Sequence, residues 1–515
     1  MMSFLHKIFT AIGLCFFLNS NATIWYVNEN GAGSMNGTSW ANAAAGTSLQ
    51  NTIDGASSGD EIWVACGTYK PTATSNRALS FHMKNDVSIH GSFAGTETQL
   101  SQRVFSCGPC TILSGEIGAN GLSDNSYKVV YNEELNNTAI IDGFVIRDGN
   151  DDRTPTSDGN GLGAGIYNHG YGLTGQCNPV IRNCIFTNNR ASWGAGTFNN
   201  GYNNGTTTPT FINCIYTENH AYIEAGGMDS YGVNGNASPT LHNVLFYNNT
   251  ATTNVGAMYC WGGNSGGDCH AQLTNCAFIN NHALNGFAGA FISDNIDENQ
   301  STISGSSSVT LKNCIVWGNT ATGAGQQFYS KGNGPIYATY SNIDLSGQSG
   351  AHVLSGPTTG NINSNPLFVD INNAIGLDNC WLTSDDGLYL QNGSPSLNAG
   401  ENTGVQNTDI KGDLRINENT VDMGVYENSN TVSVNEKENT NSLRIYPNPA
   451  NENVIIESTE NGVVMIYNAM GQNISSSLII SDKIHGKIII NLSSLANGIY
   501  LVNVNGSSTV LNVEH

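Results

Sequence analysis

Side chains able to bind or transform a ligand are sparse in this chain. The densest carboxylate run is Asp148-Gly149-Asn150-Asp151-Asp152, with Asp158 shortly after it. Oxygen ligands at that spacing in a glycine-rich loop could hold Ca²⁺. The full pattern of a hand-type calcium loop is missing, so a solvated insertion also explains the run. Asp229, Asp268, Asp294, Asp297 and Glu298 fall in different segments without a shared local pattern. Glycoside hydrolysis needs two carboxyl groups at a matched separation, and the spacing supplies no such pair. Arg190, His220 and His282 share one recurring position, but Thr250 and Thr320 fill it elsewhere. That substitution suits a solvated turn better than a catalytic base.

Aromatic residues recur more regularly. Tyr202, Tyr231 and Trp261 follow recurring asparagines by 18 or 19 residues, and Tyr171 follows a looser copy. If their loops share one side of the molecule, the rings form a row suited to a glycan or protein ligand. Stacking that only covers the loops explains the row equally well. Of 12 cysteines, Cys15 lies in the N-terminal apolar stretch, and the remaining odd number leaves at least one without an internal partner. Cys107-Gly-Pro-Cys110, and Cys260 with Cys269, are spaced as local staples. Cys184 and Cys214 could also meet on adjacent coils. A metal or redox site at Cys107 and Cys110 would need a second pair or a nearby His.

These residues must be positioned by repeats. Asn183, Asn213, Asn243, Asn275 and Asn313 are separated by 30, 30, 32 and 38 residues. A period near 30 with local alternation predicts one coil of short strands per repeat, stacked as parallel strands about 4.8 Å apart. The crossover preference makes the coil right-handed. Cys184, Cys214, Val244, Cys276 and Cys314 should point inward; valine in that series argues for packing rather than chemistry. Asn189, Asn219, Asn249, Asn281 and Asn319 suit turns and amide-to-amide bonding between coils. Phe198, Met228, Met258 and Phe291 each follow a glycine by two and should refill the core. Glu61–Ala65 reads as a strand, and residues 49–56 as a short helix capping the first coil.

Composition sets limits. The chain holds 60 Gly, and 18 Lys and Arg against 40 Asp and Glu, for a net charge of −22. So few cations disfavour nucleic acid and polyanionic sugars, leaving a neutral glycan or a protein as candidate ligand. Residues 1–22 read as an export signal: a basic start, an apolar stretch and small residues before the cut. No later segment is long enough to span a membrane.

The repeats resemble parallel β-helix and polymorphic outer-membrane-protein repeats, with their Asn-Cys, Asn-x-Ala and Gly-Gly-Ala patterns. Residues 25–71, with Trp25-Tyr-Val-Asn and Gly59-Asp-Glu-Ile-Trp-Val-Ala, resemble the start of many such Bacteroidetes proteins. Asn365-Pro-Leu-Phe-Val-Asp, Ser394-Pro-Ser-Leu-Asn-Ala-Gly and Val421-Asp-Met-Gly-Val-Tyr-Glu resemble the choice-of-anchor Q segment, which implies closure of a helix over residues 23–427. Residues 428–441 are polar and read as a linker. The tail, 442–515, shows short alternating strands between Asn and Gly turns, the pattern of a small Ig-like β-sandwich. Its ordered set Tyr446-Pro447-Asn448-Pro449, Gly471, Gly498 and Tyr500 resembles the type A C-terminal sorting domain of the type IX secretion system. The extreme end lacks the basic residue common there. A C-terminal sugar-binding sandwich is the alternative reading of the tail.

The expectation is therefore an all-β chain: a right-handed, pectate-lyase-like parallel β-helix followed by a small sandwich. The resemblance implies passage through the type IX machinery to the surface or medium, with surface lipopolysaccharide as a partner once the tail is cleaved. The leading functional reading is binding, adhesion or structure without catalysis and without a cofactor. The alternative is a polysaccharide lyase or glycoside hydrolase.

Overall fold

The computed structural model describes residues 22–428 and 443–515, except 120, 157, 265, 298, 300–303, 349–352, 458–463, 469, 476–478, 485–486 and 505–506. The expected export signal and linker fall almost wholly outside the described residues. The chain divides into two units, residues 1–429 and 430–515. No helix among the described residues is long and apolar enough to cross a membrane.

The first unit is a coil of parallel strands. One turn runs Val180–Arg182, Ile185–Thr187, Arg190–Trp193 and Thr197–Asn200, and the next begins at Thr210–Ile212. Among the described residues, stacked turns build sheet I with 11 strands, sheet II with nine, the short sheet III with six and sheet IV with seven. Neighbouring rungs pair in parallel in sheets I and II, as in Ile181↔Phe211 and Phe186↔Tyr216, with one register shift in sheet I between Trp63 and Ala65. Strand Glu61–Ala65 and helix Leu49–Gly55 form as the sequence suggests, and Leu49 and Ile53 bury themselves in the first coils.

Alternation decides which side chains enter the core. Cys184, Cys214, Val244, Cys276 and Cys314 are all fully buried in one stack. Phe186, Tyr216, Phe246 and Phe278 run beside it with ring centroids 4.3, 4.8 and 4.7 Å apart. Met228, Met258 and Phe291 face inward, but Phe198 does not. Thr197 pairs with Met228 and takes the inner position, so Phe198 moves to the outer face. Spacing from the glycine missed this slip of one residue, and a single-residue slip reverses every side chain.

The asparagine series divide their work. Asn183, Asn213, Asn243, Asn275 and Asn313 adopt left-handed turns with φ between 52° and 54°. Asn189, Asn219, Asn249, Asn281 and Asn319 are buried, and each amide donates to the next at 3.0, 2.9, 2.9 and 2.9 Å. Arg190, His220, Thr250, His282 and Thr320 are in register on sheet III, a strand row rather than a turn.

Disulfides correct the local-staple reading. Cys110 bonds to Cys66 and Cys107 to Cys380, 273 residues away, whereas Cys260 and Cys269 do pair. Cys184 and Cys214 remain thiols, as do Cys177, Cys276 and Cys314. Burial pushes the Cys184 thiol up to about 12, which suits an inert core residue. The segment beyond residue 362 runs along the outside of sheet II. There Leu388, Leu390, Met423 and Tyr426 cover Ile185, Ile215, Leu245 and Ile315.

Among its described residues the second unit contains antiparallel sheets of four and three strands. Val454, Ile456, Ile490, Val502 and Leu511 form its own core.

Candidate functional site

Sheet IV turns alternate residues outward, and its register fixes two outer rows. The first runs Tyr131, Tyr167, Phe198, Asp229, Tyr259, Ile292 and Tyr329; the second runs Glu133, His169, Asn200, Tyr231, Trp261, Asp294 and Lys331. The predicted aromatic residues meet beside these rows. Ring centroids lie 5.8 Å apart for Tyr171 and Tyr202, 5.5 Å for Tyr202 and Tyr231, and 5.0 Å for Tyr231 and Trp261. Tyr202 is not the rung partner of Tyr231, since Asn200 is. It reaches the row from the following loop. Trp261 is largely covered at 7% exposure, whereas Tyr171 is 38% exposed, so the row becomes more accessible toward Tyr171.

Further aromatic residues continue the stack, with Tyr167 and Phe198 themselves buried. Tyr131 stacks on Tyr167 at 5.5 Å, and Tyr167 on Phe198 at 5.8 Å. A cavity of about 210 Å³ opens among Leu162, Trp193, Phe198, Asn200, Tyr202 and Tyr231, with Pro155 and Thr156 along its rim. Polar groups are fixed along the same outer rows. Asn200 donates to the Tyr167 hydroxyl at 2.7 Å, and the Tyr131 hydroxyl lies 2.8 Å from His169 Nδ1.

Carboxylates that looked scattered in the sequence gather on the same face. Asp294 accepts from the Tyr259 hydroxyl at 2.5 Å and pairs with Lys331 at 2.8 Å. Glu224 accepts from Asn254 at 2.9 Å, and burial raises its pKa. Asp229 is buried with Oδ1 unpartnered; burial, then the nearby Glu224, pushes its carboxyl well above the usual range. Alternation outward from Met228 was the signal that could have found Asp229. Asp229 and Asp294 are both buried; a Cβ on Gly194, in the turn before the neighbouring strand Thr197–Asn200, would come within 2.8 Å of Asp229 Cβ. Asp268 instead lies 3.7 Å from His270 on sheet I.

The expected calcium loop is differently organised. Asp148 faces Arg147 at 3.0 Å, and Asp152 faces Arg77 at 3.0 Å. Asp151 sits between Lys128 at 2.8 Å and Arg153 at 2.7 Å, while the Asn150 amide donates to the Leu122 carbonyl at 2.8 Å. Each carboxylate thus has its own cation. Among the described residues no three His, Cys, Asp or Glu side chains gather as a metal cluster. Burial lowers Lys128 to about 8 despite its partner Asp151.

In the second unit the motif residues are structural anchors. Asn448 donates to the Val510 carbonyl at 2.8 Å and accepts from the Asn512 amide at 2.8 Å, tying the Tyr446-Pro447-Asn448-Pro449 turn to the last strand. Tyr446 lies 3.0 Å from Lys487 Nζ. Tyr500 is buried and donates to Ala496 at 2.8 Å. Gly471 and Gly498 both hold positive φ, and Gly471 and Tyr500 line one surface depression. Residues 444–513 match the family described as "Secretion system C-terminal sorting domain". The tail is a type IX secretion sorting domain. It directs the chain across the outer membrane to the surface or medium and engages the type IX machinery.

No curated protein matches the chain. Among solved structures, the chain is similar to pectate lyase Pel9A, with 13% identity and a TM-score of 0.39 over 80% of this chain and 97% of that one. It is also similar to a rhamnogalacturonan lyase, with 12% identity and a TM-score of 0.29 over 72% of this chain and 97% of that one. Neither likeness carries a reaction to this chain.

Proposed function

We propose that the exported β-helix is a non-catalytic glycan-binding or adhesion protein whose recognition surface is the outer face of sheet IV. The observation that carries this reading is the continuous row Tyr171, Tyr202, Tyr231 and Trp261 beside a cavity of about 210 Å³. Flat rings with polar edges suit the apolar faces and hydroxyls of a sugar chain. His169, half-buried, adds a hydrogen-bonding group. The net charge of −22 selects against polyanionic glycans and leaves neutral ones. Cleavage of the tail, followed by attachment to surface lipopolysaccharide or release, completes this reading.

A hydrolytic or lyase function is the second reading, favoured by Glu224, Asp229 and Asp294 meeting on one face. The burial of Asp229 and Asp294 weighs against it, because a sugar chain must touch its acid and base. Incubating the exported protein with neutral and acidic polysaccharides, then assaying retention and new ends, separates the two. Retention without new ends is expected. New reducing ends or unsaturated uronates would overturn the non-catalytic reading.

A further inference from the structure

A larger cavity lies on a different flank of the coil. It measures about 390 Å³ and opens where residues 372–381 cross the outside of sheet II. Val145 and Ile185 form part of its floor, and Trp381 and Tyr247 meet edge to face at 5.9 Å beside it. The Tyr247 hydroxyl donates to the Ile371 carbonyl at 3.2 Å, fixing that ring against the crossing segment. Cys107 and Cys380 both line the cavity, and their disulfide ties the segment in place. Glu218 contributes a carboxylate from an exposed position.

Glu218 is the residue that packing does not explain. The turn from sheet II to sheet III is left-handed in successive coils, at Asp148 (φ 62°), Asn188 (55°), Glu218 (57°), Asn248 (56°), Asn280 (52°) and Gly318 (70°). Asp, Asn and Gly adopt this conformation readily, the first two through local hydrogen bonds and glycine through its missing Cβ. Glutamate has neither advantage. A longer carboxylate is therefore held against backbone preference at a rung that opens on the cavity, and such outliers concentrate at functional positions.

We propose that this cavity binds a small cationic saccharide, an amino-sugar unit, with Glu218 receiving its ammonium and Trp381 and Tyr247 its apolar face. A carboxylate beside aromatic rings attracts a cation through charge and ring quadrupole together. A volume near 390 Å³ falls in the range of small-molecule sites, about 300–1,000 Å³. The chain's net charge of −22 enriches cations around it and repels acidic sugars. This site is independent of the sheet IV surface, and either assignment can fail alone.

The test is calorimetric titration of the full exported protein near neutral pH with glucosamine disaccharide, its N-acetylated counterpart and cellobiose. The amine-bearing disaccharide should bind at least tenfold more tightly than the others. Glu218→Asn should weaken it at least tenfold while leaving the unfolding midpoint unchanged or raised, because Asn is the residue of the adjoining rungs. Trp381→Ala should also weaken it. Equal binding of the three disaccharides, binding of none, or a Glu218→Asn protein that binds like the parent would overturn the proposal.

Discussion

Asp142 and Asp229 are both buried carboxyl groups, yet their surroundings give them opposite dependence on pH. His90, Arg103 and Arg182 approach Asp142 at 3.0, 2.8 and 3.0 Å. Although burial opposes ionisation, the hydrogen bond from His90 and the charges of both arginines hold this carboxyl far below its ordinary 3.8. A depressed folded-state pKa stabilises the protein above the unfolded value, and that stabilisation is lost as pH falls through the folded pKa. Asp142→Asn should therefore destabilise the protein by about 3 kcal/mol at pH 7, since it strands buried cations. Asp229 is the reverse case, raised by burial and by Glu224. Its contribution is full below the unfolded value and is lost as pH rises toward the folded pKa. Asp229→Asn should stabilise the protein by roughly 1 kcal/mol at pH 8 and by almost nothing at pH 4. Urea unfolding at pH 8 and pH 4 checks the Asp229 prediction, and at pH 7 the loss in Asp142→Asn.

The coil is held by ladders at the level of its elements. Asn249 accepts from Asn219, donates to Asn281 and donates to the Tyr216 carbonyl at 2.8 Å. Asn249→Ala should cost about 2–3 kcal/mol by leaving buried amide partners unsatisfied. Hydrogen exchange should then speed up in the strands Ile215–Thr217 and Leu245–Tyr247 more than in the first coils. The period of these asparagines was enough to read the coil from sequence, because each ladder repeats one physical requirement. The inward cysteine series was legible for the same reason. What recurrence cannot encode is the singular contact. Phe198 faces outward because its coil enters sheet IV one residue out of step, and Cys107 meets Cys380 only after the last segment folds back. Glu224, Asp229 and Asp294 occupy unlike positions in sequence; Glu224 ends a strand of sheet III and the other two lie on sheet IV, so only the folded coil brings them together. The aromatic row was visible through Tyr202, Tyr231 and Trp261, although Tyr202 joins it from a loop.

For the whole molecule, architecture and delivery reside in separate units. The first is a stack in which each turn covers its neighbour, so its stability spreads along the coil. The second has its own core and carries the export address. Deleting residues 443–515 should leave the chain inside the outer membrane, as read by immunoblot of cell fractions, and normal surface display would contradict the assignment. Affinity electrophoresis through gels of neutral polysaccharides tests most directly whether sheet IV is a recognition surface. With xyloglucan, mannan and mixed-linkage β-glucan as probes, the exported protein should be retarded by at least one. Tyr202→Ala combined with Tyr231→Ala should abolish that retardation while leaving the far-ultraviolet circular dichroism unchanged. Retardation undiminished in the double variant, or none of the parent protein in any gel, would contradict the account.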